Sequence, residues 1–262
     1  MPPTKTSYLI GLLVLFASAY SQYLFGGFGL VLGALVVYGV PLLVITLLWG
    51  LTIVRKSLNN TYAALKYGLG FFGAFTVLGL FASILIFYVL ATFDPNALNL
   101  LQRPNPVLNV SPEFAWIMVW FSLLVVGPAE EYLFRGFVYG GLLGLFKNRH
   151  WMSLAVVSSI LFAATHLYYA VVYGLASAIQ FTDLVTFGMA MASTYYLSNG
   201  NLLIPAFVHG AYDATGFIGV AVSADVGAQL RGYMLAVGIL VAIVLFIQKM
   251  RTREPLSTPI SR

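Results

Sequence analysis

Six side chains in this sequence have the types and spacing to do chemistry together: Glu130, Glu131, Arg135, His166, His209 and Asp213. The first three stand in Pro128-Ala129-Glu130-Glu131-Tyr132-Leu133-Phe134-Arg135-Gly136, inside a run from Phe114 to Phe146 that is otherwise overwhelmingly apolar or small. A charge at the middle of a bilayer costs about 2.5–3.5 kcal/mol or more, so it needs a partner and usually marks function. In a helix, Glu131 and Arg135 are spaced i,i+4 and share a face, whereas Glu130 points about 100° away. That spacing pairs Glu131 with Arg135 and leaves Glu130 to find partners on other helices. His166 closes Phe162-Ala163-Ala164-Thr165-His166, which puts Phe162 and His166 on one helix face, and His209 has Asp213 at i+4. A buried His and carboxylate at that spacing can ligate a metal together, orient one another, or form a purely structural hydrogen bond. If the set converges, the site holds a carboxylate base, two imidazoles and a further acid. The competing structural reading is a polar network that only holds helices together.

The elements that must position these residues are membrane helices. The chain is 60% hydrophobic and only 8% charged, against about 25% charged for a soluble domain. The expected fold is therefore all-α, a polytopic transmembrane bundle forming one membrane domain over 1–262. Apolar segments fall at about 7–24, 28–54, 67–93, 114–146, 151–173, 182–198, 202–222 and 227–248, each near the roughly 20 residues that a spanning helix needs. The run at 7–24 follows a short stretch with Lys5 but lacks a small-x-small cleavage site before a polar region, so it reads as a first span. Pro41 is expected to kink the second segment. Asp94 to Pro112 is the longer polar loop, Asn199-Gly200-Asn201 a tight turn, and the basic segment 249–262 a disordered tail. Small residues at Gly29 and Gly33, and at Gly136, Gly140 and Gly144, suit close helix approach.

With both termini in the cytoplasm, Lys5, Arg55, Lys56, Lys66, Lys147, Arg149, Lys249, Arg251, Arg253 and Arg262 gather on the inner side, and Arg103 and Arg231 on the outer. The positive-inside rule thus favours about eight spans with an N-in, C-in orientation. The formal charge of +5 follows from this bias, with attraction to anionic lipid headgroups, and nucleic acid is not an expected partner. With no cysteine in the chain, disulfides, thiolate metal sites and thiol catalysis are excluded. Other polar residues read as structural. His150 is expected to be solvated at the interface, Asp183 to cap a helix N-terminus, and Asp225 and Arg231 to lie near an outer loop. Tyr132, Tyr168, Tyr169 and Tyr212 are close enough in sequence to the charged set to shape a pocket.

The ordered motifs Glu130-Glu131-x-x-x-Arg135, Phe162-x-x-x-His166 and His209-x-x-x-Asp213 resemble the CPBP family of intramembrane proteases. That family takes in the CAAX prenyl endopeptidases and the bacteriocin-processing or Abi-type proteins, and shows EExxxR, FxxxH and HxxxN or HxxxD on successive membrane helices. Asn201-Leu202-Leu203-Ile204-Pro205 also resembles the family's lead-in. The resemblance spans roughly 114–220, which would be the catalytic core. It implies hydrolysis of a peptide bond in a cavity opening to the cytoplasm, in a peptide or protein substrate, lipidated or partly apolar. Carried over by position, Glu130 and His166 would activate water, Glu131 with Arg135 would support them, and His209 with Asp213 would hold the oxyanion. Asp213 departs from the asparagine form, since an ionised aspartate only accepts hydrogen bonds and would repel an oxyanion. A protonated acid, an orienting role toward His209 and metal ligation would each resolve this. The family is read both as a metalloprotease and as a metal-free glutamate protease. His166 and His209 with Glu130 or Asp213 would make a two-His, one-carboxylate Zn2+ site. Two other classes of function remain: a catalytically silent scaffold or immunity-type protein, and a proton-coupled transporter, which would favour an internal pseudo-symmetry that the sequence does not show.

Overall fold

The computed structural model describes residues 4–24, 29–50, 53–54 and 57–252, and the described chain is helical without strands. The predicted link Gly26-Gly27, the cations Arg55 and Lys56, and the tail from 253 onward lie outside the described residues. The helices are α1 Lys5–Leu24, α2 (29–49), α3 Thr61–Phe93, α4 Pro112–Leu145, α5 Trp151–Ala164, the short α6 Tyr168–Tyr173, α7 Ser177–Leu197, α8 Leu203–Ala221 and α9 Ala224–Thr252. Among the described residues, five stretches are long and apolar enough to cross a membrane by length and composition. Large apolar side chains such as Leu47, Phe81 and Phe93 lie exposed on the outside of the bundle, as lipid-facing residues do. The protein is a polytopic helical membrane protein.

The elements follow the apolar segments closely, with three departures. First, the segment expected at 151–173 is broken: α5 ends at Ala164, and Thr165 and His166 occupy a turn before α6. The cause is local, because Thr165 Oγ1 donates to the Phe162 carbonyl at 2.7 Å and His166 Nδ1 lies 3.1 Å from the same oxygen, competing with the helical bond. Second, α7 starts at Ser177, earlier than the expected 182, which moves Asp183 from a helix start into a helix interior. Third, α9 carries its helix through Lys249 to Thr252, so the first residues of the expected tail are ordered.

Two helix prolines, Pro41 and Pro128, follow a widened turn. Leu35–Gly39 in α2 and Ser122–Val126 in α4 are π-helical, and Pro41 and Pro128 come two residues after them. A proline offers no N–H to the preceding turn, and the longer-range π bonds absorb that gap without ending the helix. A further π stretch, Tyr132–Tyr139, follows Glu131. The two glutamates thus sit on a short α-helical step, Gly127–Glu131, between two wide turns.

The crossing of α4 with α8 fixes the relation of the acidic pair to His209. A Cβ at Gly127 would lie 2.4 Å from the Ala206 carbonyl oxygen, and one at Gly210 2.6 Å from the Ser122 oxygen. The two backbones therefore touch at glycines beside the functional residues, an approach that any side chain would block. Asn201 anchors the start of α8: its Oδ1 accepts from Ile204 N at 3.1 Å and its Nδ2 donates to the Asn59 carbonyl at 2.7 Å. Leu133, Phe134, Phe137, Val138 and Tyr139 of α4 form the centre of the main core with α1, α2, α5 and α7.

Candidate active site

Glu131 and Arg135 meet as their spacing predicts. Arg135 Nε lies 3.1 Å from Glu131 Oε2, with both side chains at 1% exposure or less. The contact has the distance of an ion pair without the angle of a hydrogen bond, since Glu131 Oε2 has no hydrogen-bond donor. Arg135 also sits over the Phe162 ring, 4.7 Å from its centroid, and Nη2 donates to the Gly188 carbonyl at 3.4 Å. The other Glu131 oxygen, Oε1, is 2.8 Å from His209 Nδ1. A carboxylate oxygen paired with Arg135 accepts only, so the proton of this bond belongs to Nδ1. Arg135, Glu131 and His209 thus form a buried chain that fixes which way the imidazole faces.

The far nitrogen of that ring, Nε2, points between two acids, 3.6 Å from Glu130 Oε2 and 3.5 Å from Asp213 Oδ2. These distances are at the limit of direct hydrogen bonding. Three acceptors would repel one another in such an arrangement, so at least one proton resides on Nε2 or on an acid. Glu130 Oε1 accepts from Tyr38 Oη at 2.9 Å, a partner on α2 from a region without any recognisable motif.

His166 stands apart from this chain of bonds but opens onto the same space. Its Nδ1 faces the Phe162 carbonyl and the Thr165 hydroxyl, 3.1 and 3.2 Å away. Because a carbonyl only accepts, Nδ1 carries the proton and Nε2 is left as the acceptor nitrogen. The Phe162 ring lies between the two imidazoles, its centroid 4.9 Å from that of His166 and 5.9 Å from that of His209. Glu130, His166, His209 and Asp213 all line one cavity of about 1100 Å3, and Glu131 and Arg135 lie behind its wall. The cavity therefore gathers four of the six predicted residues and leaves the ion pair as support.

Several residues fall elsewhere than expected. Tyr168, Tyr169 and Tyr212 line the cavity, whereas Tyr132 turns away and meets Thr46 Oγ1 at 3.0 Å. His150 is exposed as expected, but its Nδ1 also accepts from Met152 N at 3.3 Å and so caps α5. Asp183 is not a cap. It lies within α7, faces the cavity, and accepts from Ser83 Oγ at 2.9 Å. Arg231, expected near an outer loop, lies in the first third of α9, where it reaches the cavity, stacks over Tyr212 at 5.1 Å and donates from Nε to Thr215 Oγ1 at 2.7 Å. Tyr38 and Arg231 escaped the sequence reading because one tyrosine among sixteen and one arginine near a predicted helix end carry no local mark of a site.

The donor types suit a transition metal, but their arrangement does not. Among the described residues, no group of three or more His, Asp or Glu side chains is placed to hold a metal ion. His209 Nδ1 is taken by Glu131, and His166 is separated from His209 by the Phe162 ring. The side chains as they stand do not fit the expected Zn2+ site. What they offer directly is a carboxylate base, an acceptor imidazole and an oriented second imidazole around one space.

No curated protein and no solved structure gave a match to the chain. Residues 112–215, from the start of α4 to the middle of α8, match the family model described as type II CAAX prenyl endopeptidase Rce1-like, and every one of the six motif residues falls inside that stretch. Over this stretch the chain is similar to the Rce1-like CAAX prenyl endopeptidases.

Proposed function

We propose that the protein is a cell-membrane endopeptidase that hydrolyses a peptide bond within the cavity, using water activated by Glu130 and His166. The similarity of residues 112–215 to a CAAX prenyl endopeptidase model supports the reaction class and a peptide or protein substrate. The observation that carries the assignment of residues is the convergence of Glu130, His166, His209 and Asp213 on one cavity. Water attacks the carbonyl carbon of the scissile bond while Glu130 takes its proton and His166, which lines the same cavity, accepts a hydrogen bond from it. The carbonyl oxygen becomes an oxyanion, and a protonated His209 Nε2 donates to it. Asp213, at 3.5 Å from Nε2, favours that proton on His209, which lets an aspartate serve where the family motif also carries asparagine. Collapse of the intermediate breaks the C–N bond, and the proton held by Glu130 passes to the leaving amine. Glu131, gripped by Arg135, keeps His209 in the required orientation.

The lining is largely apolar and aromatic, including Phe72, Phe162, Phe187 and Tyr212, and the volume exceeds that of a small-ligand pocket. Such a space suits an extended polypeptide segment carrying apolar or lipidated side chains, admitted laterally between helices. The test uses purified protein in liposomes with quenched-fluorescent peptides, farnesylated and unmodified. Glu130→Ala and His166→Ala are each expected to lower cleavage by at least about 10²- to 10⁴-fold while the protein stays folded in the membrane. Cleavage retained in either variant overturns the assignment.

A further inference from the structure

The cavity has a definite sidedness. It is lined by Ala19 near the end of α1, by Tyr38 from the first half of α2, by Ser83 from the later part of α3, and by Phe121 near the start of α4. His166 lies just past the end of α5, and Ile179 and Asp183 in the first half of α7. Phe217 comes from the second half of α8, and Arg231 from the first third of α9. The chain reverses direction between successive long helices, so all these parts belong to one end of the bundle. Asn105 to Leu108, in the polar loop joining α3 to α4, complete the lining at that end.

The opposite end is closed. Tyr8 at the start of α1 packs on Trp49 at the end of α2 and donates to the Val138 carbonyl of α4 at 2.9 Å. Trp151 at the start of α5 stacks on Tyr196 at the end of α7, ring centroids 4.7 Å apart. Between this end and the cavity lie the fully enclosed side chains of Glu131, Arg135, Phe137 and Tyr139. The cations gather here too: Lys5 opens α1, Lys66 lies near the start of α3, Lys147 and Arg149 follow α4, and Lys249 and Arg251 end α9. The cavity end has Arg103 and Arg231 instead, beside Asp94, Glu113 and Asp225.

Cations flanking membrane helices are retained on the cytoplasmic side, which makes the closed end cytoplasmic. We propose that the cavity opens to the non-cytoplasmic side, and that its substrate is a polypeptide displayed there: a secreted chain or the outer part of a membrane-anchored one. This inference rests on the endopeptidase reading for what happens in the cavity, and it replaces the cytoplasmic opening that the family resemblance implied. It makes the α3–α4 loop the rim past which a substrate segment passes, and it sets Arg231 and Asp183 within that outer half.

Absence of cysteine from the chain gives a direct test that does not depend on activity. Val107→Cys, at an exposed position on the cavity rim, and Arg149→Cys, at the closed end, are treated in intact cells with a membrane-impermeant maleimide carrying a mass tag. Val107→Cys is expected to shift on a gel without permeabilisation, and Arg149→Cys only after it. Gln102→Cys, exposed in the same loop, serves if Val107→Cys fails to accumulate. The reverse pattern overturns the proposal and leaves the endopeptidase reading standing. Conversely, loss of the endopeptidase reading through active Glu130→Ala protein leaves the labelling result intact.

Discussion

Glu130 and Glu131 are neighbours in sequence with opposite surroundings. Glu131 is wholly enclosed, with one oxygen against Arg135 and the other against His209 Nδ1. Glu130 receives one hydrogen bond, from Tyr38, and turns its other oxygen toward the cavity, 3.6 Å from His209 Nε2. The same residue type is thus an enclosed counter-ion at one position and a cavity-lining carboxylate, the base of the proposed mechanism, at the next. A helical rotation of about 100° between adjacent residues separates the two environments, and the wide turns before and after the pair hold that step in place. In the proposed mechanism the two expensive charges serve different ends: Glu131 holds His209 in place and Glu130 exchanges the proton.

The largest effect is expected on the enclosed side. Glu131→Gln leaves Arg135 buried without a counter-charge, which costs about 3–5 kcal/mol, and it weakens the orientation of His209. Unfolding in mixed detergent micelles should show this loss, whereas Glu130→Gln should unfold like the parent protein while losing cleavage. Equal destabilisation by both changes would erase the distinction between the two glutamates. An intermediate effect is expected at Tyr38→Phe, which removes the hydroxyl donor to Glu130. A hydrogen bond to a charged group contributes about 1.5–3 kcal/mol, so cleavage should fall by roughly 10- to 100-fold, given about 1.4 kcal/mol per factor of ten. Unchanged activity would mean that Glu130 needs no support from α2. The smallest effect is expected at Asp213→Asn. The asparagine oxygen still accepts from His209 Nε2, so cleavage should stay within about tenfold of the parent, with an altered pH profile because a titrating acid has left the site. A loss greater than about a thousandfold would make Asp213 itself essential and refute its role as a positioning residue for His209.

The local chemistry was legible in the chain because it rests on short-range rules. The i,i+4 spacing of Glu131 and Arg135 requires only a helix to bring them together, and the order of the three motifs points to the protease family before any contact is known. Apolar run lengths gave the helices nearly to their ends. The exceptions arise where side chains compete with the backbone. Thr165 and His166 take the Phe162 carbonyl from the helix and end α5 early, and the early start of α7 carries Asp183 into a helix interior.

Long-range geometry belonged to the tertiary structure alone. That Tyr38 would meet Glu130 across 92 positions of chain depends on the packing of α2 against α4, and that His209 would bond to Glu131 through Nδ1 and face Glu130 through Nε2 depends on the close crossing of α4 and α8 at Gly127 and Gly210. The sequence by itself determined a helical membrane bundle, its charge asymmetry and the residues able to do chemistry, because hydropathy, charge and helical period are properties of short segments. Which end of the bundle holds the cavity, and which glutamate faces it, was decided only when helices distant in sequence packed together, because no local pattern encodes which surfaces will touch.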